Sequence, residues 1–448
     1  MNLFVNCLTN TVFVNLFDLT LKVKGFDIAF AKAELSRIQS IPEDQYASYI
    51  EQQKQAIVTY HKMYSPFYKE FTSQQENPSW EALPVLSKTD LQQPLENRLS
   101  TEYALKNVYI NKTSGSSGHP FIFAKDKEAH ALSWASFQDR YAWFDLNVNT
   151  SKQARFYGIP LDFVGYRKER LKDWLGNRYR FPIFDLSEPQ LEKIRQKFER
   201  TSFEYLNGYT SSIVLFAKYL KQHQLILKDL CPTLKACIVT SEMLFESDKQ
   251  LMETQFGIPV INEYGASELG LIAFQNTENQ FQVDSELLYV EILDENNQPV
   301  PHGESGRVII TSLYNKAHPF IRYDIGDMGT LSRKSTPKKP ILENLIGRTN
   351  DVARLPSGKI VPGLTFYYVT KSVIEEDGNV SEFVIEQTAL DAFKVIYTAQ
   401  RPLTTSEEEK IKKATYTYLE KGLTILFEKT EKMDRSKRGK LKQFVSKL

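Results

Sequence analysis

The stretch that most constrains this chain is TSGSSGHP, from Thr113 to Pro120. Two glycines, three serines and a threonine stand between NVYINK and FIFAKD, two runs with strand character. The order is strand, small-residue loop, strand. Glycines permit tight turns and let backbone N–H groups approach a ligand closely. Hydroxyls add further donors. Such a loop suits a polyphosphate, although a plain hairpin loop has similar composition. Two familiar phosphate loops are excluded. A Walker loop needs Gly-Lys-Ser/Thr entering a helix, and here His119-Pro120 follow the second glycine. The dinucleotide fingerprint also opens a helix, which the β run Phe121-Ile122-Phe123 contradicts.

At 448 residues the chain exceeds what one core usually serves, so two or more domains are expected. A formal net charge of +1 gives no global field toward nucleic acid or an anionic membrane. Cys7, Cys231 and Cys237 form no CxxC pair, which argues against a disulfide framework or a structural zinc site and fits a reducing interior. The N-terminal segment has no basic residue before Lys22, and Asn and Asp interrupt its apolar run. It reads as neither a signal peptide nor a membrane span, and a cytoplasmic protein is expected.

Periodicity predicts a helix over Pro42–Phe71 stopped by Pro66, a helix start at Ser87–Asp90, and a helix over Asp126–Trp143. Strands are predicted at Ala154–Pro160, at Cys237–Leu244 and at Pro259–Gly265. Helices at Glu188–Thr201, Ser211–His223 and Ser247–Phe256 separate them. This alternation predicts an α/β core. From Phe281 to Leu331 several β runs imply a β-rich subdomain. Beyond Ile346–Gly363 lie FVIEQ, FKVIYTA, a helix over Glu407–Lys421 and LTILFEK, a compact α+β unit. The predicted division is a large domain over 1–348 and a small one over 349–448.

Four more segments carry chemistry. In NEYGASE (Asn262–Glu268) a buried strand ends at Tyr264, Gly265 turns the chain, and Ser267-Glu268 read as a helix start. Ligands of α/β sheets bind at such strand ends. Glu268 could hold Mg²⁺, or it could be an acid favoured by a helix dipole. In HPFIRYDIGD (His318–Asp327), alternation puts Arg322 and Asp324 on one face. Asp327 follows a glycine and could point into a cleft toward ribose hydroxyls, unless these charges form a structural pair. IGRTND (Ile346–Asp351) lies at the domain boundary. DRSKRGKLKQF (Asp434–Phe444) is basic and holds Gly439-Lys440, which could be a solvated tail or could position one lysine.

A glycine–serine loop, YGxSE, RYxxGD, IGR at a hinge and a C-terminal GK, in that order, resemble the adenylate-forming superfamily of acyl-CoA synthetases, adenylation domains and luciferases. GESGRVIITSLYNKAHPFIRYDIGD (Gly303–Asp327) and HKMYSPFYKEF (His61–Phe71) are most similar to the phenylacetate–CoA ligase branch, including its capsule-locus relatives. The resemblance implies ATP-dependent activation of a carboxylic acid to an acyl-adenylate, with Mg²⁺. Transfer to coenzyme A and release of AMP follow, with a mobile C-terminal domain turning between the steps. It implies that Thr113, Ser114, Gly115, Ser116, Ser117 and Gly118 grip the β- and γ-phosphates. Ser241 and Glu242 would wall the adenine, with Tyr264 and Gly265 on its other side. Ser267 would touch the α-phosphate, and Glu268 would bind Mg²⁺. Asp327 and Arg348 would hold the ribose, and Lys440 would reach the α-phosphate and the carboxylate.

The chain departs from the family at His119, where Lys is common, and at Asn350, where Asp or Lys is usual. Asp351 and Lys442 are minor rivals for the hinge and lysine roles. The acid pocket is expected from Tyr157–Phe163, Tyr205–Ile213 and the strand end near Ile261. Its aromatics suggest an aromatic or medium-sized acid. The alternative to a coenzyme A ligase is an adenylyl- or acyltransferase with a hydroxyl or amine acceptor. A small-molecule acid is the implied partner, with no nucleic acid, no membrane span, and a homodimer left open.

Overall fold

The two runs flanking the glycine–serine segment form an antiparallel pair, β1 (Tyr109–Lys112) and β2 (Ile122–Lys125), with Tyr109 opposite Lys125. A computed structural model describes residues 16–73, 79–113, 122–158, 163–346, 352–362, 365–366, 369, 379–431 and 444–448, and the structural statements below concern these. Asp126 ends β2 and caps the Lys127–Ala142 helix, its carboxylate accepting from Ala129 N at 2.8 Å.

Seven strands follow. They are β3 (Gln153–Phe156), β4 (Arg178–Phe181), β5 (Tyr205–Tyr209), β6 (Ala236–Thr240), β7 (Val260–Ala266), β8 (Gly270–Gln275) and β9 (Phe281–Val283). They form one sheet in the order β4-β3-β5-β6-β7-β8-β9. Strands β3 to β7 are parallel, and β8 and β9 are antiparallel additions. Strand β6 reads ACIVT and is buried throughout, as expected when helices cover both faces of a parallel sheet. On one face Phe156, Leu206, Val239 and Val260 pack with Phe198, Phe216 and Phe256 from the covering helices. On the other, Tyr205, Ile238 and Ile261 pack with Tyr141 of the Lys127–Ala142 helix.

The β-rich part is an antiparallel sheet, β10 (Leu288–Leu293), β11 (Ser305–Ser312), β12 (Tyr323–Leu331) and β13 (Leu342–Ile346), in that order. Its inner face shares a core with Ala131, Leu132 and Ala135 of the same helix and with the N-terminal helices. After a small hairpin, β14 (Val352–Arg354) and β15 (Ile360–Pro362), come β16 (Val380–Ala389), β17 (Ala392–Ala399), β18 (Thr424–Lys429) and β19 (Phe444–Ser446). These pair in the order β18-β17-β16-β19 around a core of their own, including Phe383, Phe393, Ile411 and Phe444. The fold is therefore α/β, with a large N-terminal part and a smaller C-terminal α+β part. Strand β19 pairs with β16, Phe444 opposite Ile385, so the end of the chain is held in a sheet.

Two predicted elements outside the site differ. Pro66 does end the Glu43–Tyr64 helix, but it also opens a second, Pro66–Phe71, whose first turn tolerates proline and which Ser65 caps. No helix starts at Ser87. Its N–H and Oγ both donate to Asp90, at 2.8 and 2.6 Å, and this local turn takes the groups that a helix start would have used.

Two buried histidines tie the β-rich part to the rest. His61 is fully buried, and its Nε2 donates to Asn315 O at 2.9 Å. His318 Nε2 accepts from Arg98 Nη1 at 2.5 Å, and Arg98 Nη2 donates to Ile122 O at 2.7 Å, at the start of β2. Burial pushes His61 down to about 4 from 6.5. Burial, then the Arg98 guanidinium, hold His318 well below its ordinary value. Both are neutral when folded, so the unfolded chain takes up protons first as pH falls below 6.5. Stability therefore drops on acidification from that point toward the folded values, by about 3 kcal/mol from His61 alone. Urea midpoints at about pH 7 and about pH 5 should fall accordingly, and His61→Gln should shrink the difference. Equal wild-type midpoints at the two pH values would contradict this account.

Candidate functional site

The C-terminal end of β7 and the start of β8 make a tight hairpin with Ser267, Glu268 and Leu269 at its tip. A Cβ on Gly265 would stand 2.8 Å from Gly270 O, and Gly270 itself has φ +95°. Both positions need glycine for the strands to close. The segment read as a helix start is thus a hairpin turn. A dipole-favoured acid is not what Glu268 is, since no helix begins there. Its carboxylate is buried at 4% exposure, and Tyr323 OH donates to Oε1 at 3.0 Å. Ser267 is exposed beside it.

A second bond joins the same two elements. Tyr264 OH donates to Asp327 Oδ2 at 2.6 Å, and Asp327 is buried after Gly326, which has φ +81°. Tyr323 and Asp327 both belong to β12, so two hydrogen bonds join this strand to the β7–β8 hairpin. Arg322 and Asp324 do not share a face. Arg322 has φ +48°, outside the strand, and its buried guanidinium donates to the carbonyls of Trp80, Glu81 and Leu83. Asp324 pairs instead with Arg307 at 2.8 Å. Both are structural, and Asp327 alone of the three charges faces the hairpin tyrosine.

Sequence reasoning missed Lys125. It ends β2, is 5% exposed, and its ammonium lies 3.5 Å from where a Cβ on Gly270 would stand. Burial pulls it down to about 8, while the neighbouring Glu268 and Asp126 carboxylates hold it up. No described residue hydrogen-bonds this ammonium. The exit strand of the glycine–serine hairpin thus delivers a buried cation to the Glu268 turn. A lysine between an apolar strand run and a helix-capping aspartate was the available signal.

The aromatic segments assigned to an acid pocket divide. Tyr205 is core, edge-on to Tyr141 at 5.9 Å. Tyr157 and Tyr209 meet at 4.9 Å at the C-terminal ends of their strands. Register puts Tyr209 beside Thr240, and Thr240 beside Glu263. Glu263 accepts from Tyr141 OH at 2.9 Å, and burial raises its pKa. The Arg155 guanidinium lies over Tyr157 at 4.5 Å, its Nε buried without a hydrogen bond among the described residues. This end of the sheet is polar as well as aromatic, which sequence alone did not suggest.

The remaining assignments are located as follows. Thr113 is buried at the end of β1. Ser241 is exposed with φ +70°, and Glu242 turns toward a helix start, accepting from Ser211 N at 2.7 Å. Ser114, Gly115, Ser116, Ser117, Gly118, His119, Arg348, Asn350, Asp351, Lys440 and Lys442 lie outside the described residues.

No protein-family model matches the chain. Protein CapK of Staphylococcus aureus is 24% identical over 317 residues, 67% of this chain and 66% of CapK. The match thus spans just under two thirds of that relative's length. A 2-hydroxyisobutyryl-CoA ligase in complex with 2-HIB-AMP and CoA, in its thioesterification state, superposes with TM-score 0.57 and 16% identity. The superposition covers 92% of this chain and 91% of that one. The same ligase in its postadenylation state with R3-HIB-AMP gives 0.55 at 16% identity, over 92% and 91%. At this identity the likeness is one of fold, and it extends through both parts of the chain. The chain thus shares the fold of these CoA ligase structures.

Proposed function

We propose that this protein uses ATP to activate a carboxylic acid as its acyl-adenylate, releasing pyrophosphate, and then passes the acyl group to coenzyme A with release of AMP. The observation that carries this reading is the junction of β12 with the β7–β8 hairpin. There Glu268, Lys125 and the Tyr264–Asp327 pair meet at the strand ends of an α/β sheet, beside the hairpin that holds the glycine–serine segment.

A carboxylate is already ionised at neutral pH, so the first step needs no general base. It needs positioning and cations aimed at charge that develops on the α-phosphate. In this reading Thr113 and the loop from Ser114 to Gly118 hold the β- and γ-phosphates. Asp327, oriented by Tyr264, accepts from ribose hydroxyls, with Arg348 as its partner. Ser241, Glu242, Tyr264 and Gly265 frame the adenine, and Ser267 meets the α-phosphate. Glu268 fits Mg²⁺, which takes one or two carboxylates and completes its shell with phosphate and water oxygens. Tyr323 orients Oε1, and no described residue hydrogen-bonds Oε2. When bound, the metal would neutralise phosphate charge. Lys125 adds a fixed cation beside Glu268, six residues on in sequence from His119, where relatives often carry lysine. Residues 349–448 form the unit that turns between the two steps and carries Lys440. The branch nearest to phenylacetate–CoA ligases and a cytoplasmic location complete the proposal. The polar strand-end row of Tyr157, Tyr209 and Glu263 favours an acid with hydrogen-bonding groups over a bare aryl acid.

Pyrophosphate release measured over a panel of carboxylic acids, with and without coenzyme A, tests the reaction. The expected outcome is acid-dependent release with AMP formed, and thioester only when coenzyme A is present. No release with any acid would remove the reading. Lys440→Ala should lower acid-dependent pyrophosphate exchange by about a hundredfold or more while ATP still binds by calorimetry, and near-normal exchange would refute its role. Lys125→Met should slow adenylation about tenfold or more, and Lys125→Arg should restore most of it. Equal rates in all three proteins would leave Lys125 a packing residue.

A further inference from the structure

The Phe163–Leu175 helix, lying against the edge strand β4, is built inside out. Its acids face inward. Asp173, with a side chain 2% exposed, pairs with Arg178 at 2.9 Å and Arg180 at 3.0 Å, and Glu169 pairs inward with Arg180 at 2.9 Å and at its outer edge with Lys172 at 2.6 Å. Arg170 also turns in, donating to Arg180 O at 2.7 Å. The apolar residues face out, with Val164 at 73%, Leu171 at 58% and Trp174 at 74% exposure. Steps of seven and three place these on one stripe of the helix. The other exposed side chains along it are Tyr166 and the basic Arg167, Lys168 and Lys172.

An exposed apolar stripe on a folded protein marks something that covers it. We propose that this helix docks the protein on the surface of an anionic lipid bilayer. The sorting of charge selects the occupant. All three exposed ionic side chains on the helix are basic, so a second copy laid symmetrically on the same face would bring like charges together. An acidic surface is complementary. The stripe stands out on a convex helix rather than in a groove, which suits a deformable surface better than a preformed partner. Indole and leucine beside a basic rim are the composition of helices that lie in the bilayer interface. No helix among the described residues is long and apolar enough to cross a membrane, so the attachment is peripheral. The net charge of +1 gives no general attraction, and the binding rests on this one helix. The inference is independent of the proposed reaction.

The test is sedimentation of the full chain with vesicles of phosphatidylcholine alone and of phosphatidylcholine mixed with phosphatidylglycerol. Binding is expected to the mixed vesicles only, weakening as salt is raised, with a blue shift in tryptophan emission. Lys168→Gln with Lys172→Gln should weaken it about tenfold or more, since each basic residue near such a surface contributes about fivefold. Leu171→Ser with Trp174→Ser should abolish binding and the spectral shift. All four side chains are exposed, so thermal midpoints should match the wild type. Three results would overturn the proposal: no sedimentation of the wild type with mixed vesicles, equal sedimentation with neutral ones, or unchanged binding of the serine variant. A concentration-dependent dimer in ultracentrifugation, dissolved by the serine variant, would instead assign the face to a second copy.

Discussion

The Lys127–Ala142 helix is pinned at both ends by buried charge, and the arrangement of the site follows from that. At its start Asp126 caps the first turn and also accepts from Lys316 N at 2.7 Å, while Asn315 donates to Ala124 O at 2.9 Å. At its end Arg140 reaches Asp284 at 2.9 Å and Glu286 at 2.5 Å. One helix thereby joins the glycine–serine hairpin before it, the α/β sheet beneath it and the β-rich sheet beyond it. Lys125 immediately precedes the cap, so its ammonium is aimed by the same fixings. Displacing this helix would move the hairpin, the cation and the strand ends together.

Three arginines, Arg98, Arg140 and Arg322, are fully buried, and each is held by a different set of acceptors. Arg140 uses carboxylates. Burial alone would pull its guanidinium down, but Glu286 and Asp284 hold it above its ordinary value. Arg322 uses three carbonyls of the 80–83 connector, with the buried Glu291 carboxylate 3.6 Å from its Nε. Arg98 uses the carbonyls of Gln93 and Ile122 and the ring of His318. Buried ion pairs of this sort add little net stability over an apolar packing, yet removing one partner is costly. Their effect here is geometric. They fix the register between sheets that would otherwise meet through interchangeable aliphatic contacts.

The strands flanking Thr113–Pro120 and the helix after Asp126 were legible because their periodicity and capping agree. The helix–strand alternation up to Gly265 was legible for the same reason. The turn at Ser267-Glu268 was not. Serine and glutamate suit a helix start as well as a hairpin tip, and the deciding feature is Gly270, whose left-handed backbone closes the turn. Alternation failed at Arg322 because that residue precedes the strand and has φ +48°. Tertiary contacts then took its charge away from Asp324. Lys125 was passed over because a strand-end lysine usually points to solvent, and only the fold brings Glu268 beside it. The aromatic strand ends were read by residue type, and no local pattern announces that Glu263 and Arg155 join them.

The chain carries 56 basic and 55 acidic residues, and that near balance conceals how they are sorted. On the Phe163–Leu175 helix the acids and Arg170 face the protein, and Arg167, Lys168 and Lys172 face out. At the site the buried Lys125 lies near the buried carboxylates of Glu268 and Asp126. In the C-terminal part, Thr404 and Glu407 are spent on a capping box that starts the Thr405–Tyr418 helix. That part closes its own core with residues from Ala353 to Phe444, and Phe184 meets Tyr418 across to the larger part at 5.0 Å between rings. The apolar residues of that part are thus satisfied largely among themselves. Sequence composition averages over all of these placements, and the chemistry depends on each one separately.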